Sequence, residues 1–248
     1  MPIPPSPRVV FERNPLAEVG CRFNIPAILR LEEQKPVAFQ EAVEAEYPYV
    51  TRNLAHFEDR PEPVAVYDFI SKDRYWKVSV CSEFIQLTTT DYEKREGFHE
   101  RLQTVTERFA EIYGRNATIA MVLYYRDVID REDLGLEGVP WDELLNPSFA
   151  GELADEHLSE EEVIDVQRTV TIDLGDDLGE LELIHGLREF EEGRRVYVMD
   201  SFLSEERDST FSEAIERLDT YHDRGGELFR WTIADKLRDA LGEKDDEV

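Results

Sequence analysis

The stretch from residue 96 to residue 129 joins the clearest helix of the sequence to its most apolar strand. Apolar side chains recur at spacings of 4, 3, 4 and 3 along residues 96–113, which puts them on one face of a helix. They are Phe98, Leu102, Val105, Phe109 and Ile112. Gly114 ends this helix, and residues 117–129 follow as a β-rich, largely apolar run that predicts a buried strand. This helix and the strand after it together predict a fold in which a helix packs on a sheet.

The rest of the first 130 residues alternates between strand and helix patterns. Apolar residues at every second position from 19 to 25 predict a strand, which Pro26 ends or places at a sheet edge. A short helix is predicted from Pro36 to Tyr47, and residues 49–63 are predicted to form a loop. Further strands are predicted at residues 64–71, 75–80 and 83–90. The order β-α-β-β-α-β, with an extra strand in the central hairpin, predicts an α+β fold with helices packed on one face of a mostly antiparallel sheet.

The second half of the chain predicts a strand-rich segment followed by C-terminal helices. Strands are predicted at residues 163–174, 180–190 and 195–203, with a hairpin turn at 175–179. Thr210 and Glu213 match a capping box at the start of the final helix, which Gly225 and Gly226 are expected to interrupt. The tail from residue 243 to residue 248 is expected to fray.

These patterns divide the chain into three parts. Residues 1–130 are predicted to form an α+β lobe, residues 131–162 a connector, and residues 163–248 the later strands and the C-terminal helical segment. One continuous domain is the alternative, because a chain of 248 residues fits either one large domain or two small ones.

The charge of the chain is strongly negative and unevenly distributed. The sequence has 56 acidic and 28 basic residues, and residues 151–248 have 30 acidic and 11 basic ones. A field of this sign repels nucleic acid and favours basic partners. No basic stripe with interleaved aromatic residues is found in the sequence, so direct nucleic-acid binding is not expected. Adaptation of the surface to high salt is the alternative explanation of the charge.

The sequence gives no indication of a membrane or secretory protein. No apolar run reaches the length of about 18 residues that a transmembrane helix needs. Residues 1–8 are rich in proline and lack the basic start and apolar core of a secretory signal, which predicts an extended lead-in and a cytoplasmic protein. Cys21 and Cys81 lie in apolar, strand-like runs, so buried free thiols are expected, with a disulfide only if the strands bring them together.

Motifs that hold a metal or a cofactor are missing from the sequence. Gly135 and Gly138 lack the lysine and the preceding strand of a phosphate-binding loop. Neither a Gly-x-Ser-x-Gly elbow nor a His-Glu-x-x-His helix is found, and no four zinc ligands have suitable spacing. No cofactor and no metal site are therefore predicted.

Two aspartates and two histidines are the candidates for catalysis. Asp127 and Asp130 lie at the end of the strongest predicted strand, where carboxylates are able to bind a divalent cation or transfer protons. However, positions three apart point to opposite faces of a strand. His185 and Gly186 follow Leu181–Ile184 in a strand-to-turn context, and His222 lies on the apolar side of the final helix.

A structural role is the alternative for each of these candidates. Arg126 and Arg131 are placed to neutralise the two aspartates in a salt-bridged strand end. His222 is placed to be a packed histidine held by the carboxylate of Asp219 or Asp223. For His185 the alternative is a surface or half-buried strand residue.

Six segments of the chain carry patterns that occur together in one family. They are 14–19 (Asn-Pro-Leu-Ala-Glu-Val), 46–48 (Glu-Tyr-Pro), 69–78 (Phe-Ile-Ser-Lys-Asp-x-x-Trp-x-Val), 123–130 (Leu-Tyr-Tyr-Arg-Asp-Val-Ile-Asp), 144–147 (Leu-Leu-Asn-Pro) and 218–238. With these segments the chain resembles, over nearly its whole length, a sporadically distributed prokaryotic family of unknown function. Where that family has Arg-Leu-Gly-Leu-Arg-Tyr, residues 120–125 are Ala-Met-Val-Leu-Tyr-Tyr. Patchy distribution is typical of horizontally moved genes, so the resemblance implies a mobile-element or anti-phage defence context.

The sequence favours a non-enzymatic module that binds another protein. The candidate surface is the final segment, through Phe229, Trp231 and Leu237, and a homo-oligomer is left open. One alternative is an enzyme or metal-dependent hydrolase that uses the strand-end carboxylates with one of the histidines. The other is an acidic inhibitor that mimics nucleic acid, or an antitoxin-like protein.

Overall fold

The fold of the protein is α+β, with a large antiparallel sheet and packed helices, as the sequence predicts. The structure is a computed structural model that describes residues 3–57, 62–155, 157–158, 162–175, 178–190 and 193–245. The strands are β1 (Val9–Phe11), β2 (Leu16–Asn24), β3 (Tyr49–Ala55), β4 (Val64–Ile70), β5 (Trp76–Val80), β6 (Phe84–Thr89), β7 (Thr118–Asp130), β8 (Arg168–Asp173), β9 (Glu180–Glu189), β10 (Arg195–Ser209) and β11 (Glu243–Asp245). The helices are α1 (Leu29–Glu33), α2 (Val37–Val43), α3 (Arg95–Tyr113), α4 (Arg131–Leu134), α5 (Trp141–Leu144), α6 (Pro147–Ala150), α7 (Phe211–Thr232) and α8 (Asp235–Leu241).

The chain forms two compact units, each built from separate stretches. The first unit comprises Met1–Ala17, Tyr125–Leu203 and Thr220–Val248, and the second unit comprises Glu18–Tyr124 and Ser204–Asp219. Strands β7 and β10 and helix α7 contribute residues to both units.

The second unit is a sheet with helices α2 and α3 on one face. Its strands follow the order β3-β4-β5-β6-β2-β7. Phe39 of α2 packs on Phe69 of β4 with ring centroids 5.2 Å apart, and Phe98 of α3 lies 6.2 Å from Trp76 of β5. The predicted apolar face of α3 is the face that the unit buries. Amphipathic periodicity therefore located this helix correctly.

Both cysteines are buried free thiols of the second unit. Cys21 belongs to β2, where it pairs with Leu87 of β6. Cys81 belongs to a smaller apolar cluster with Val64, Val66 and Phe84. The prediction of buried free thiols is confirmed.

In the first unit the strands follow the order β7-β10-β9-β8, and β8 is the edge strand. Strands β8 and β9 form an antiparallel hairpin whose register runs from Arg168 opposite His185 to Asp173 opposite Glu180. Asp176 and Asp177 of the predicted turn lie outside the described residues. Strands β1 and β11 form a separate two-stranded sheet. Residues 243–245 were expected to fray but belong to this sheet, and residues 246–248 lie outside the described part.

The junction between α7 and α8 is fixed by backbone hydrogen bonds to the segment around α5 and α6. The amide of Asn146 donates to the carbonyl of Thr232 at 2.8 Å, and the amide of Ala234 donates to the carbonyl of Leu144 at 2.8 Å. Both bonds satisfy groups that a helix end leaves without an intrahelical partner. They hold the end of α7 next to Pro147.

The start of α7 is the predicted capping box. The amide of Glu213 donates to the Thr210 hydroxyl at 3.3 Å, and the amide of Thr210 donates to the Glu213 carboxylate at 2.8 Å. The expected interruption at Gly225 and Gly226 is wrong, because α7 is continuous to Thr232. A Cβ atom at Gly225 would lie 2.7 Å from the Tyr125 ring, so this glycine permits close packing of a helix on an aromatic ring.

Residues 49–55 were predicted to be a loop but form β3, which pairs with β4 along its whole length.

Among the helices of the described residues, none is long and apolar enough to cross a membrane.

Candidate functional site

Strand β7 places Asp127 and Asp130 on different faces, as their spacing predicts. Asp130 forms an ion pair with Arg194, and its carboxylate also accepts a 2.9 Å hydrogen bond from the amide of Glu132 at the start of α4. The partner Arg194 is 64 residues away, and the sequence did not indicate it. The ion pair with Arg194 and the hydrogen bond at the start of α4 thus give Asp130 a structural role.

Asp127 is a buried carboxyl group on the same face of β7 as Tyr125 and Ile129. Burial, with a smaller contribution from the nearby charge of Asp200, raises the pKa of Asp127 to about 7. Asp200 itself receives two hydrogen bonds from the Arg126 guanidinium, at 2.7 and 3.1 Å. Arg126 therefore pairs with Asp200, whereas the sequence suggested it as a partner of the strand-end aspartates.

His185 is sealed in the core of the first unit. Its Nδ1 lies 2.6 Å from the hydroxyl of Tyr197, and that hydroxyl also lies 3.2 Å from the carbonyl of Phe149. Burial lowers the pKa of His185 to about 4, with a smaller contribution from Arg168, so the ring is neutral near pH 7. The expectation of a surface or half-buried residue is wrong, because only 2% of His185 is exposed.

His222 of α7 is hydrogen-bonded through Nδ1 to the hydroxyl of Tyr125. Asp219, one of the two predicted carboxylates, lies near Arg95, whose Nη1 is 3.4 Å from its oxygen. A tyrosine hydroxyl is therefore a partner of this histidine, and the sequence did not point to it.

Three of the four catalytic candidates are engaged in separate contacts. Asp130 pairs with Arg194, His185 with Tyr197, and His222 with Tyr125. In the part of the chain that the structure describes, no three His, Cys, Asp or Glu side chains are placed to hold a metal ion.

The first unit contains an open cleft of about 460 Å³ beside the junction of α7 and α8. We call it the Trp231 cleft. Its lining includes Pro7, Asn146, Pro147, Arg230, Trp231 and Arg238. Backbone hydrogen bonds from the lining residues Asn146 and Ala234 connect the α5–α6 segment to the end of α7. The lining combines apolar residues with polar and charged ones, and a cleft of this kind is a candidate binding site.

The structure separates the three residues of the predicted binding surface. Trp231 is half-buried and lines the cleft. Phe229 is 7% exposed and packs on Phe11, with ring centroids 5.5 Å apart, and Leu237 is fully buried. Phe229 and Leu237 therefore belong to the core, which corrects the expectation that the three residues form one exposed surface.

Two arginines give the Trp231 cleft its polar character. The Nε of Arg230 donates to the hydroxyl of Ser6 at 2.6 Å, and burial lowers the pKa of its guanidinium. Arg238 contacts Asp235 at 3.1 Å and Glu243 at 3.0 Å, and its Nη2 donates to the carbonyl of Arg230 at 3.2 Å. The positive charge of Arg238 is thus balanced by two carboxylates.

The sequence did not predict that the N-terminal lead-in contributes to this site. Pro4, Ser6 and Pro7 line the cleft, and Ile3 is buried. The proline-rich composition indicated extended structure, but it gave no sign of the segment on which this structure packs. The arginines at 230 and 238 on either side of the candidate tryptophan were the available signal.

Comparison of the chain with protein-family models, curated proteins and solved structures gave no match.

Proposed function

We propose that this protein is a protein-interaction module that binds a segment of a partner protein in the Trp231 cleft. The supporting observation is the half-buried indole of Trp231, which lines an open cleft while its neighbours Phe229 and Leu237 are sealed in the core. Tryptophan and arginine are enriched among the residues that dominate binding energy at protein interfaces. The cleft combines one tryptophan with Arg230 and Arg238.

The charge balance of the cleft favours a peptide segment over a small anion. Arg238 is neutralised by Asp235 and Glu243, so the cleft is not a strong anion site. The indole and the prolines of the lining offer apolar surface, and Arg230 and Asn146 of the same lining offer polar groups. A partner segment with an apolar or aromatic anchor flanked by hydrogen-bonding groups matches this lining.

Site-directed photo-crosslinking tests the location of the binding site. A photoreactive amino acid replaces Asp235, whose side chain is 94% exposed at the cleft, or Asp142, an exposed residue of α5 outside the cleft lining. We expect a partner protein to be crosslinked in native lysate from position 235 and not from position 142. Equal crosslinking from both positions would indicate adventitious contact.

Affinity measurements with the purified partner then test the role of the indole. We expect Trp231→Ala to weaken binding about tenfold or more, and Trp231→Phe to weaken it less, because a smaller ring keeps part of the apolar contact. Tyr75→Ala is the control, since Tyr75 is an exposed aromatic residue of the second unit. Unchanged affinity of Trp231→Ala would refute the cleft as the binding site.

A second candidate function is acid–base catalysis at Asp127. The observation that favours it is a buried carboxyl with a pKa of about 7 near the carboxylate of Asp200. A screen for hydrolase activity tests this candidate, with loss of activity expected in Asp127→Asn. Activity that persists in this variant would exclude Asp127 as the acid or base.

The cellular context of the module is also a proposal. We infer a cytoplasmic protein of a mobile-element or anti-phage defence system, on the basis of the sequence resemblance to a sporadically distributed prokaryotic family. Plaque counts in a host with and without the gene test this context. Plating efficiency that is the same for the wild type, Trp231→Ala and the empty host would remove the defence role and leave the binding site untouched.

A further inference from the structure

We propose that the outer edge of β8 is a second docking site, at which an extended basic segment of a partner protein adds as a further strand. This site lies on the β8–β9 hairpin of the first unit, and none of its residues lines the Trp231 cleft. It extends the proposed function from one binding site to two. The open backbone edge, the alternation of side chains and the charge of one face support this site.

The edge strand β8 has backbone groups that no described strand pairs. It is the last strand in its sheet order, with β9 on its inner side. Thr169, Val170 and Thr171 are successive exposed residues in its middle. Sheet edges in natural proteins are usually blocked by proline, by central charges or by a bulge. The central four residues of β8, Thr-Val-Thr-Ile, contain neither proline nor charge, so the edge is open to strand addition.

One face of the hairpin carries three carboxylates close to this edge. The register places Asp173 opposite Glu180, and Thr171 opposite Glu182, so all three acidic side chains share a face. Asp173 accepts a 2.8 Å hydrogen bond from the amide of Gly175. None of the three carboxylates forms an ion pair with another described residue. Their charge is therefore available to a partner.

The other face of β8 carries Val170 and Ile172, with Arg168 at the start of the strand ion-paired to Glu152. Val170 is 38% exposed and Ile172 is half-buried. A strand that pairs with β8 presents alternate residues to the two faces. The matching segment has lysine or arginine at every second position, toward the carboxylates, and β-branched apolar residues between them.

The same charges argue against two other occupants of the edge. A second copy of this chain would bring its own carboxylates to the pairing line, and each chain has a net charge of −28. Nucleic acid is repelled by a negative field of this size. A basic protein segment is the occupant that gains from both the backbone edge and the charge.

A synthetic peptide binding experiment tests this proposal on the full chain. The probe is a fluorescent peptide of about nine residues, alternating lysine with threonine or valine, which is the length of a long strand. The matched control peptide has the same sequence with N-methyl groups on alternate backbone amides, which keeps the charge and removes donors along one edge. We expect the control peptide to bind about tenfold more weakly in fluorescence anisotropy, because strand addition requires the backbone hydrogen bonds.

A pair of charge-reversal variants tests the location. Glu180→Lys/Glu182→Lys reverses two carboxylates of the hairpin face, and Asp142→Lys/Asp239→Lys makes the same charge change at exposed sites of the same unit. We expect the first variant to lose binding about tenfold or more, and the second to lose less than about threefold, since screening weakens distant charges. Amide chemical shifts that change along β8 on peptide addition would support the assigned edge.

Three results would overturn the proposal. Equal binding of the N-methylated peptide would show that the backbone edge is not used. Equal loss in both charge-reversal variants would indicate diffuse attraction by an acidic surface, which is what nucleic-acid mimicry predicts. Shift changes confined to the Trp231 cleft would move the basic peptide to that site, whereas failure of the cleft in its own crosslinking test leaves the β8 result unaffected.

Discussion

The indole of Trp231 stands perpendicular to the ring of Phe149, with the two ring centroids 5.0 Å apart. The same phenyl ring lies 5.4 Å from the imidazole of His185, and the carbonyl of Phe149 is 3.2 Å from the hydroxyl of Tyr197. The aromatic wall of the cleft therefore rests on a buried polar pair. Changes in that pair are expected to act on the stability of the first unit and on the position of Trp231.

Removal of the Tyr197 hydroxyl tests this support. Tyr197→Phe leaves His185 Nδ1 and the Phe149 carbonyl without this shared partner in a buried place. We expect the free energy of unfolding to fall by about 1–3 kcal/mol, the cost of leaving buried polar groups unsatisfied. Urea denaturation measures it, with Tyr75→Phe at an exposed tyrosine as the control. Equal stability of the two variants would show that the buried hydrogen bonds contribute little.

The buried imidazole of His185 makes stability depend on pH. The pKa of His185 is about 4 in the folded protein, whereas the ordinary pKa of a histidine is 6.5. Between these values the unfolded chain binds a proton that the folded chain does not, so this group lowers stability as the pH falls from 6.5 to 4. We expect wild type to lose more stability than His185→Gln over this interval. A difference between the two proteins that is independent of pH would contradict the lowered pKa.

Asp127 acts in the opposite direction over an overlapping pH range. Its pKa is about 7 in the folded protein and has an ordinary value of 3.8, so the folded chain holds a proton that the unfolded chain releases. The contribution of Asp127 to the free energy of unfolding is fully present below pH 3.8 and is lost as the pH rises through 7. Its size is about 1.4 kcal/mol for each unit of difference between the two pKa values. We expect Asp127→Asn to gain stability relative to wild type above pH 7. Denaturation of both proteins at several pH values measures this, and a relative gain at low pH would refute the raised pKa.

The contrast between α3 and β3 shows which parts of the fold the sequence can reveal. Helix α3 has a local 3.6-residue period because one of its faces is buried along its length, with Phe98 and Phe109 fully enclosed. Strand β3 has no alternation, since its first six residues are exposed, and it exists through pairing with β4. Pairing between strands is a non-local interaction, so composition within residues 49–55 did not indicate it.

The candidate site was predictable only in part, for a similar reason. The spacing of Phe229, Trp231 and Leu237 gives no information on which side chain is sealed by packing, and the structure leaves only Trp231 in the cleft. The pairing of Asp130 with Arg194 joins residues far apart in the chain. By contrast, the capping box of Thr210 is a local motif, and the sequence was sufficient to locate it.

The two thiols are expected to react only after unfolding. Cys21 and Cys81 are buried, and burial raises the pKa of both, so the reactive thiolate is scarce in the native protein. With Ellman's reagent we expect slow reaction without denaturant and rapid reaction of both cysteines in urea. Rapid labelling of one thiol in the native protein would contradict its burial, and Cys81→Ser would identify which thiol had reacted.

Gly186 is expected to be the least replaceable glycine of the β8–β9 region. A Cβ atom at this position would lie 1.7 Å from the carbonyl oxygen of Val166, a backbone atom that cannot rotate away. We expect Gly186→Ala to lower the free energy of unfolding by about 3 kcal/mol, because overpacking forces the backbone to shift. Gly97→Ala is the matched control, since a Cβ atom at this exposed position of α3 meets nothing within 4 Å. There alanine is expected to increase stability by up to about 1 kcal/mol, through better helix propensity. Urea denaturation of both variants measures these changes in the free energy of unfolding. Equal effects would mean that the segment at Val166 does not pack against Gly186 in solution.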